Sequence, residues 1–269
     1  MTITDFFAEH PVGAVAFSGG VDSAALLALA VCHARRTKAY FVRTAFQPAF
    51  ELRDAEDTAR RLGAALEVID FDILAVPAVA DNPPERCYHC KRFLFTALLA
   101  AAKADGFPVV LDGSNASDDA GDRPGMRALR ELAVLSPLRE CGLTKADVRR
   151  IAREAGLTVW DKPSYACLAT RIPAGTAITA ADLGRVEQGE QALAGLGFRD
   201  FRACRISARC HTNHQQSSQQ NRQHRTAERL GFIGSSQRKA FFQKAGASGD
   251  TASKADERHI RIQVTGRHP

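Results

Sequence analysis

Three short stretches carry residues whose types and spacing can do chemistry. The first, Ser18-Gly19-Gly20-Val21-Asp22-Ser23, lies between an apolar run that begins at Gly13 and a helical run that begins at Ser23. Gly19 and Gly20 have no Cβ, so backbone N–H groups can curl around an anion, and the start of the following helix adds its positive end. Ser18 and Ser23 offer hydroxyl donors, while Asp22 suits Mg²⁺ better than a phosphate. The stretch reads as a pyrophosphate cradle. It is not a Walker loop, since no Gly-Lys-Ser/Thr closes it, and Gly19-Gly20 do not supply the dinucleotide fingerprint G-x-G-x-x-G.

The second stretch, Asn82 to Phe95, places Cys87 and Cys90 three apart at the entrance to a helix. Two sulfurs at that spacing can face one metal or cluster, and a helix N-terminus favours thiolates. A Zn²⁺ site completed by His89 or an outside group is open on the same residues. The third stretch, Trp160 to Gly175, holds Cys167 with Lys162 upstream and Arg171 downstream, cations that would lower its thiol pKa if they lie close in space. A further run, Leu111 to Asp118, ends a strand with Gly113, Ser114 and Asn115, whose backbone and amide groups can read a nucleotide. Glu187 and Glu190 share one face of a helical run, where a solvated face is the default. Cys32, Cys141, Cys204 and Cys210 show no partner spacing.

The elements that must position these groups follow from periodicity. Strand runs are predicted at Gly13–Phe17, Lys38–Thr44, Leu66–Phe71 and Val109–Leu111. Helical runs are predicted at Ser23–Ala34, Glu51–Leu62, Phe93–Ala104 and Thr144–Ala155, the last capped by Thr144 and closed by Gly156. Such alternation predicts an α/β fold, a parallel sheet with helices on both faces and its ligand beyond the carboxyl ends of the strands. A first domain over residues 1–162 and a smaller C-terminal α/β domain over 163–269 are expected. From Cys204 to Gln223 the chain turns rich in Arg, His, Gln and Ser, and periodicity is faint from there on, as in a polar tail.

A chain of 269 residues can build a full core, and 45% apolar with 25% charged residues is ordinary for a globular protein. No window approaches the ~18 apolar residues of a membrane span, and the first residues lack the basic region of a secretory signal, so a cytoplasmic, membrane-free protein is expected. The formal charge of +6 suits anionic partners, although much of it sits in the last quarter. Seven cysteines without an export signal argue for metal, cluster or catalytic use over disulfides.

The SGGVDS stretch resembles the PP-loop of the ATP pyrophosphatases. In the order SGGVDS, RTAFQP, NPPERCYHCK, DGSNASD, RPGMRAL, SPL, LTKADVR, WDKPS and CLATRIP, the chain from about Gly13 to Arg202 is similar to the LarE family, ATP-dependent sulfur transferases of nickel-pincer nucleotide biosynthesis. The resemblance implies ATP and Mg²⁺ as cofactors and a pyridinium-3,5-biscarboxylate mononucleotide as substrate. One of its carboxylates is adenylated and its oxygen replaced by sulfur. By the same resemblance Arg43 and Thr44, at the end of the second strand, would contact adenosine, Arg127 the ATP phosphates and Arg202 a substrate phosphate. Cys167, Arg171 and Glu190 would stand near the reacting centre. Family members with only the cysteine at the Cys167 position give up its sulfur and become dehydroalanine; others add the C-x-x-C pair and hold a [4Fe–4S] cluster. Cys87, Cys90 and Cys167 together imply the cluster version, and homo-oligomers are the family's expectation.

The resemblance breaks near Ala203, where Cys204 stands in place of the second arginine of an Arg-x-Arg pair. A shifted reading frame and a diverged end both fit that loss. Two other functions remain open from sequence: a tRNA-thiolating enzyme of the same superfamily, against which no RNA-binding module is recognisable, and a non-catalytic ATP-binding module.

Overall fold

A computed structural model describes residues 1–118, 124–198, 201–205 and 260–264. The run from Cys204 to Gln223 therefore lies almost wholly outside the described residues, as does Cys210. The chain divides into two compact units, Met1–Cys167 and Leu168–Pro269.

The first unit opens with helix α1 (Ile3–Glu9), whose capping box pairs Thr2 with Asp5. Strand β1 (Val12–Ala16), helix α2 (Val21–His33), strand β2 (Arg36–Arg43), helix α3 (Ala49–Arg61) and strand β3 (Leu66–Asp70) follow in alternation. After α4 (Pro77–Ala80) and the long α5 (Arg86–Ala104) come β4 (Val110–Leu111), α6 (Pro124–Glu131), α7 (Pro137–Glu140) and α8 (Lys145–Glu154). The four strands form one sheet in the order β3-β2-β1-β4, and every pairing is parallel. The expected parallel α/β sheet is what the chain builds.

Alternation along the strands explains why both faces carry helices. Side chains of a strand point alternately to opposite faces. Val15, Ala39, Phe41 and Leu111 pack with Phe6, Phe7, Leu26, Leu27, Val148 and Ala152 of α1, α2 and α8. Their neighbours Ala14, Tyr40 and Val110 pack instead with Phe95, Leu98, Ala102 and Leu129 of α5 and α6. The sheet thus separates two cores, and the C-terminal ends of β1, β2 and β4 are held between them.

Helix α5 begins seven residues before the run predicted from Phe93. Its apolar stripe starts only at Leu94 and Phe95, but the chain is already helical after Pro83-Pro84, so Cys87 and Cys90 occupy its first turns. Among the described residues no helix is long and apolar enough to cross a membrane.

In the second unit α9 (Ala180–Gly195) packs on β5 (Phe201–Arg205), which pairs antiparallel with β6 (Ile260–Val264). The solvated face expected for Glu190 is corrected here. Glu190 and Arg171 are 5% and 2% exposed, Arg171 Nε donates to Glu190 Oε1 at 2.8 Å, and the Ala203 N–H donates to the same oxygen at 3.1 Å. Gly189 of α9 faces β5, where a Cβ would make ordinary contact with Ala203 Cβ at 3.4 Å. A buried charge that loses its partner is costly, so Arg171→Met is expected to destabilise this unit by about 3–5 kcal/mol, with Arg171→Met/Glu190→Leu recovering most of it. Hydrogen exchange of the α9 amides measures both variants.

Candidate active site

The cradle forms where β1 hands over to α2. Phe17 N–H makes the last backbone bond to β2, at Tyr40 O (2.9 Å), and the chain then turns through Gly19 at φ +73°. A side chain there would be strained, and its Cβ would lie 2.9 Å from Glu51 O. Ser23 Oγ bonds Gly20 O at 3.1 Å and accepts from Ser18 N at 3.2 Å, which fixes the curve of the loop. Gly20 is the N-cap of α2 and provides no side-chain cap, so the first N–H groups of the helix are left to a ligand or water.

The end of β4 presses directly on this turn. A Cβ on Gly113 would lie 2.8 Å from Ser23 N and 3.0 Å from the Asp22 carbonyl carbon, so only glycine fits. Asn115, 1% exposed, donates from Nδ2 to Asp22 Oδ1 at 3.1 Å, and its own Oδ1 accepts from Ser117 N at 2.8 Å. Its amide orients Asp22 and closes its own loop. Lys145 Nζ meets the other Asp22 oxygen at 2.5 Å.

Lys145 and Asp112 are members of the site that the sequence did not single out. Lys145 opens α8, 123 residues from Asp22, with no local pattern to link them. Asp112, buried at the end of β4, accepts from Ser114 Oγ at 2.6 Å and from Ser136 Oγ at 2.5 Å and faces the same cavity. An acid directly before Gly-Ser-Asn at a strand's carboxyl end was the available signal.

Cradle and cysteines share one cavity of about 420 Å³, within the usual range for a small-molecule site. Ser18, Asp22, Ser23, Asp112 and Gly113 line one part, Val42, Thr44, Phe46 and Gln47 another, and Arg86, Cys87, Cys90, Lys91, Leu94 and Cys167 a third. A smaller depression beside Arg36, Lys38, Asp105 and Phe107 has its lysine already paired with Glu67 and Asp105.

Five expected nucleotide-binding residues fall outside that lining: Gly19, Gly20 and Asn115, which shape the cradle from behind, and Arg43 and Arg127, which are held elsewhere. Arg43 is drawn to Asp70 on β3, and Arg127 pairs with Glu85 at 3.1 Å while lying over the Tyr88 ring at 4.5 Å. Lys162, expected to act on Cys167, pairs with Asp54 and lies over Phe50. The cations lining the sulfur end are Arg86 and Lys91. Arg86 Nη1 donates to Asn82 Oδ1 at 2.7 Å, and Nη2 reaches Cys87 Sγ at 3.8 Å. Arg202 is exposed on β5 of the second unit, and Cys204 there is pushed up in pKa, first by burial.

The Cys90 thiol is pushed up to about 12, first by burial and then by the neighbouring Cys167 and Cys87 sulfurs. It keeps its proton at neutral pH unless a metal displaces it. Cys87 is exposed. Iodoacetamide at pH 8 is therefore expected to label Cys87 well before Cys90 in the metal-free protein, as read by peptide mass mapping. Among the described residues no three His, Cys, Asp or Glu side chains are grouped to hold a single metal ion.

Similarity to known proteins agrees with this layout. The asparagine synthase family profile matches residues 5–119, the span that contains the cradle and the cysteine pair. An uncharacterized protein of Synechocystis sp. is 38% identical over 203 residues, 74% of this chain and 75% of that protein. A pyridinium-3,5-bisthiocarboxylic acid mononucleotide synthase of Lactiplantibacillus plantarum is 34% identical over 186 residues, 68% of this chain and 67% of that protein. A tRNA-specific 2-thiouridylase of Thermotoga maritima is 27% identical over 190 residues, 55% of this chain and 53% of that protein.

Proposed function

This chain belongs to the LarE family of ATP-dependent, PP-loop sulfur transferases, and from that premise we propose that it adenylates a carboxylate of pyridinium-3,5-biscarboxylate mononucleotide and replaces the carboxylate oxygen with sulfur. The observation that carries this reading is the single cavity joining a phosphate cradle to three cysteines. The Ser18–Ser23 turn and the α2 N-terminus hold the β and γ phosphates, and Asp22 and Asp112 supply oxygens to Mg²⁺. A substrate carboxylate oxygen attacks the α phosphorus, the bond to the β-phosphate oxygen breaks, and pyrophosphate leaves. Sulfur then adds to the activated carboxyl carbon and AMP departs with the former carboxylate oxygen.

The cluster reading is supported by three cysteines lining one cavity. Cys87 and Cys90 come from one helix start, Cys167 faces the same space, and Arg86 and Lys91 offset the thiolate charge. A [4Fe–4S] cluster on these three would supply sulfide at its uncoordinated fourth iron. Without it, Cys167 itself is the sulfur source and is left as dehydroalanine.

Incubation of the substrate with ATP, Mg²⁺ and sulfide, followed by mass spectrometry of product and protein, tests the reading. Expected are the thiocarboxylate, AMP and pyrophosphate. A protein lighter by one H₂S at Cys167 assigns the sacrificial route, and an unchanged mass with an iron-dependent visible band assigns the cluster. Absence of substrate-dependent pyrophosphate release would leave only a nucleotide-binding module. The tRNA-thiolating alternative is supported by the weaker similarity and is checked by tRNA filter binding at physiological salt.

A further inference from the structure

The part of the cavity left for the nucleotide base already holds a side chain. β1 makes its last rung on β2 at Tyr40 O, so Val42 O and the Thr44 N–H stand beyond the end of that pairing, and both residues line the cavity. Gln47 satisfies both. Thr44 N donates to Gln47 Oε1 at 2.9 Å, Thr44 Oγ1 donates to the same oxygen at 2.6 Å, and Gln47 Nε2 donates to Val42 O at 3.1 Å. The amide orientation follows from its partners, because an N–H must meet the oxygen and a C=O must meet the NH₂.

A carboxamide presents an acceptor beside an N–H donor. Adenine presents the same pair on one edge, N1 accepting and the N6 amino group donating. Hypoxanthine and guanine invert it, with N1–H donating and O6 accepting. We propose that Gln47 stands in for adenine: its amide occupies the backbone pair that the base takes, competes with ATP for it, and withdraws when ATP binds. The proposal rests on the ATP reading above and adds to it the residue that sets base affinity. Phe17, Phe46 and Leu94 line the same cavity and supply apolar walls for a flat ring. The turn keeps its form without the Gln47 side chain, since Phe46 N donates to Thr44 Oγ1 at 3.1 Å and Gln47 N to Thr44 O at 3.4 Å.

The competition is read by calorimetric titration of the full chain with MgATP, MgITP and magnesium pyrophosphate. Gln47→Ala is expected to bind ATP about 3- to 10-fold more tightly, the scale of one or two net hydrogen bonds released. Pyrophosphate affinity is expected to stay unchanged, and ITP to remain weak in both proteins. Weaker ATP binding by the variant, an equal gain for ITP, or an equal shift for pyrophosphate would overturn the proposal. If circular dichroism shows Gln47→Ala unfolded, Gln47→Ser, too short to reach Val42 O, gives the same reading. Wild-type protein that binds neither ATP nor pyrophosphate removes the ATP reading and the proposal together. ATP binding without an effect of Gln47 removes the proposal alone.

Discussion

Replacing Cys167 with alanine is expected to abolish sulfur transfer while ATP-dependent pyrophosphate release continues. Both proposed sulfur routes use this residue, as a donor in one and a cluster ligand in the other, whereas the proposed adenylation uses the cradle. Loss of the thiocarboxylate by at least about 1,000-fold corresponds to ~4 kcal/mol of barrier, the scale of a missing participant. Pyrophosphate release, followed by a coupled assay, should stay within about threefold of the wild type, because no contact of the phosphate loop is removed. Cys87→Ala then separates the routes. A sacrificial Cys167 still gives one turnover in that variant, and a cluster site gives none. Pyrophosphate release that falls with product in Cys167→Ala would show that Cys167 serves the first half-reaction instead.

Gly113→Ala is expected to weaken ATP binding by about 100-fold, or ~2.7 kcal/mol. The added Cβ would meet Ser23 N and the Asp22 carbonyl carbon at 2.8 and 3.0 Å, and both are backbone atoms in the first turn of α2. A flexible side chain could turn away, but here the helix start itself must move, taking its first N–H groups away from where the proposed phosphates would sit and Asp22 away from the proposed Mg²⁺. Gly184→Ala is the control, since nothing lies within 4 Å of a Cβ at that helical position. It is expected to leave nucleotide binding unchanged and to add up to ~1 kcal/mol of stability. Equal ATP affinity in Gly113→Ala and wild type, measured by titration, would show that the α2 start is not part of the site.

How much of this was legible in the sequence follows the range of the interactions. β1, β2 and β4 could be read because buried parallel strands are short apolar runs, the half-buried edge strand β3 because its apolar residues are interspersed with polar ones, and the cradle because its glycines follow β1. The contacts that tune the site were hidden. Lys145 and Asp22 are 123 residues apart, and Arg43 and Arg127 stand outside the cavity because acids from β3 and the α5 N-cap hold them. Glu190 looked like one of two surface acids on a helix face, but a short turn 19 residues earlier supplies Arg171 and carries the pair inside. Helix α5 reaches further back than its apolar stripe because its opening turns are polar, with Arg86 buried on Asn82. The break in the resemblance near Ala203 is a matter of sequence alone; the residues on either side of it form β5, which pairs with β6.

Helix α5 is anchored by Phe95, Leu98 and Ala102, all downstream of Cys87 and Cys90. The two thiols therefore ride on a rod whose seat does not depend on them. Replacing both cysteines would leave every one of those seating contacts in place, so the helix is expected to keep its position without the pair.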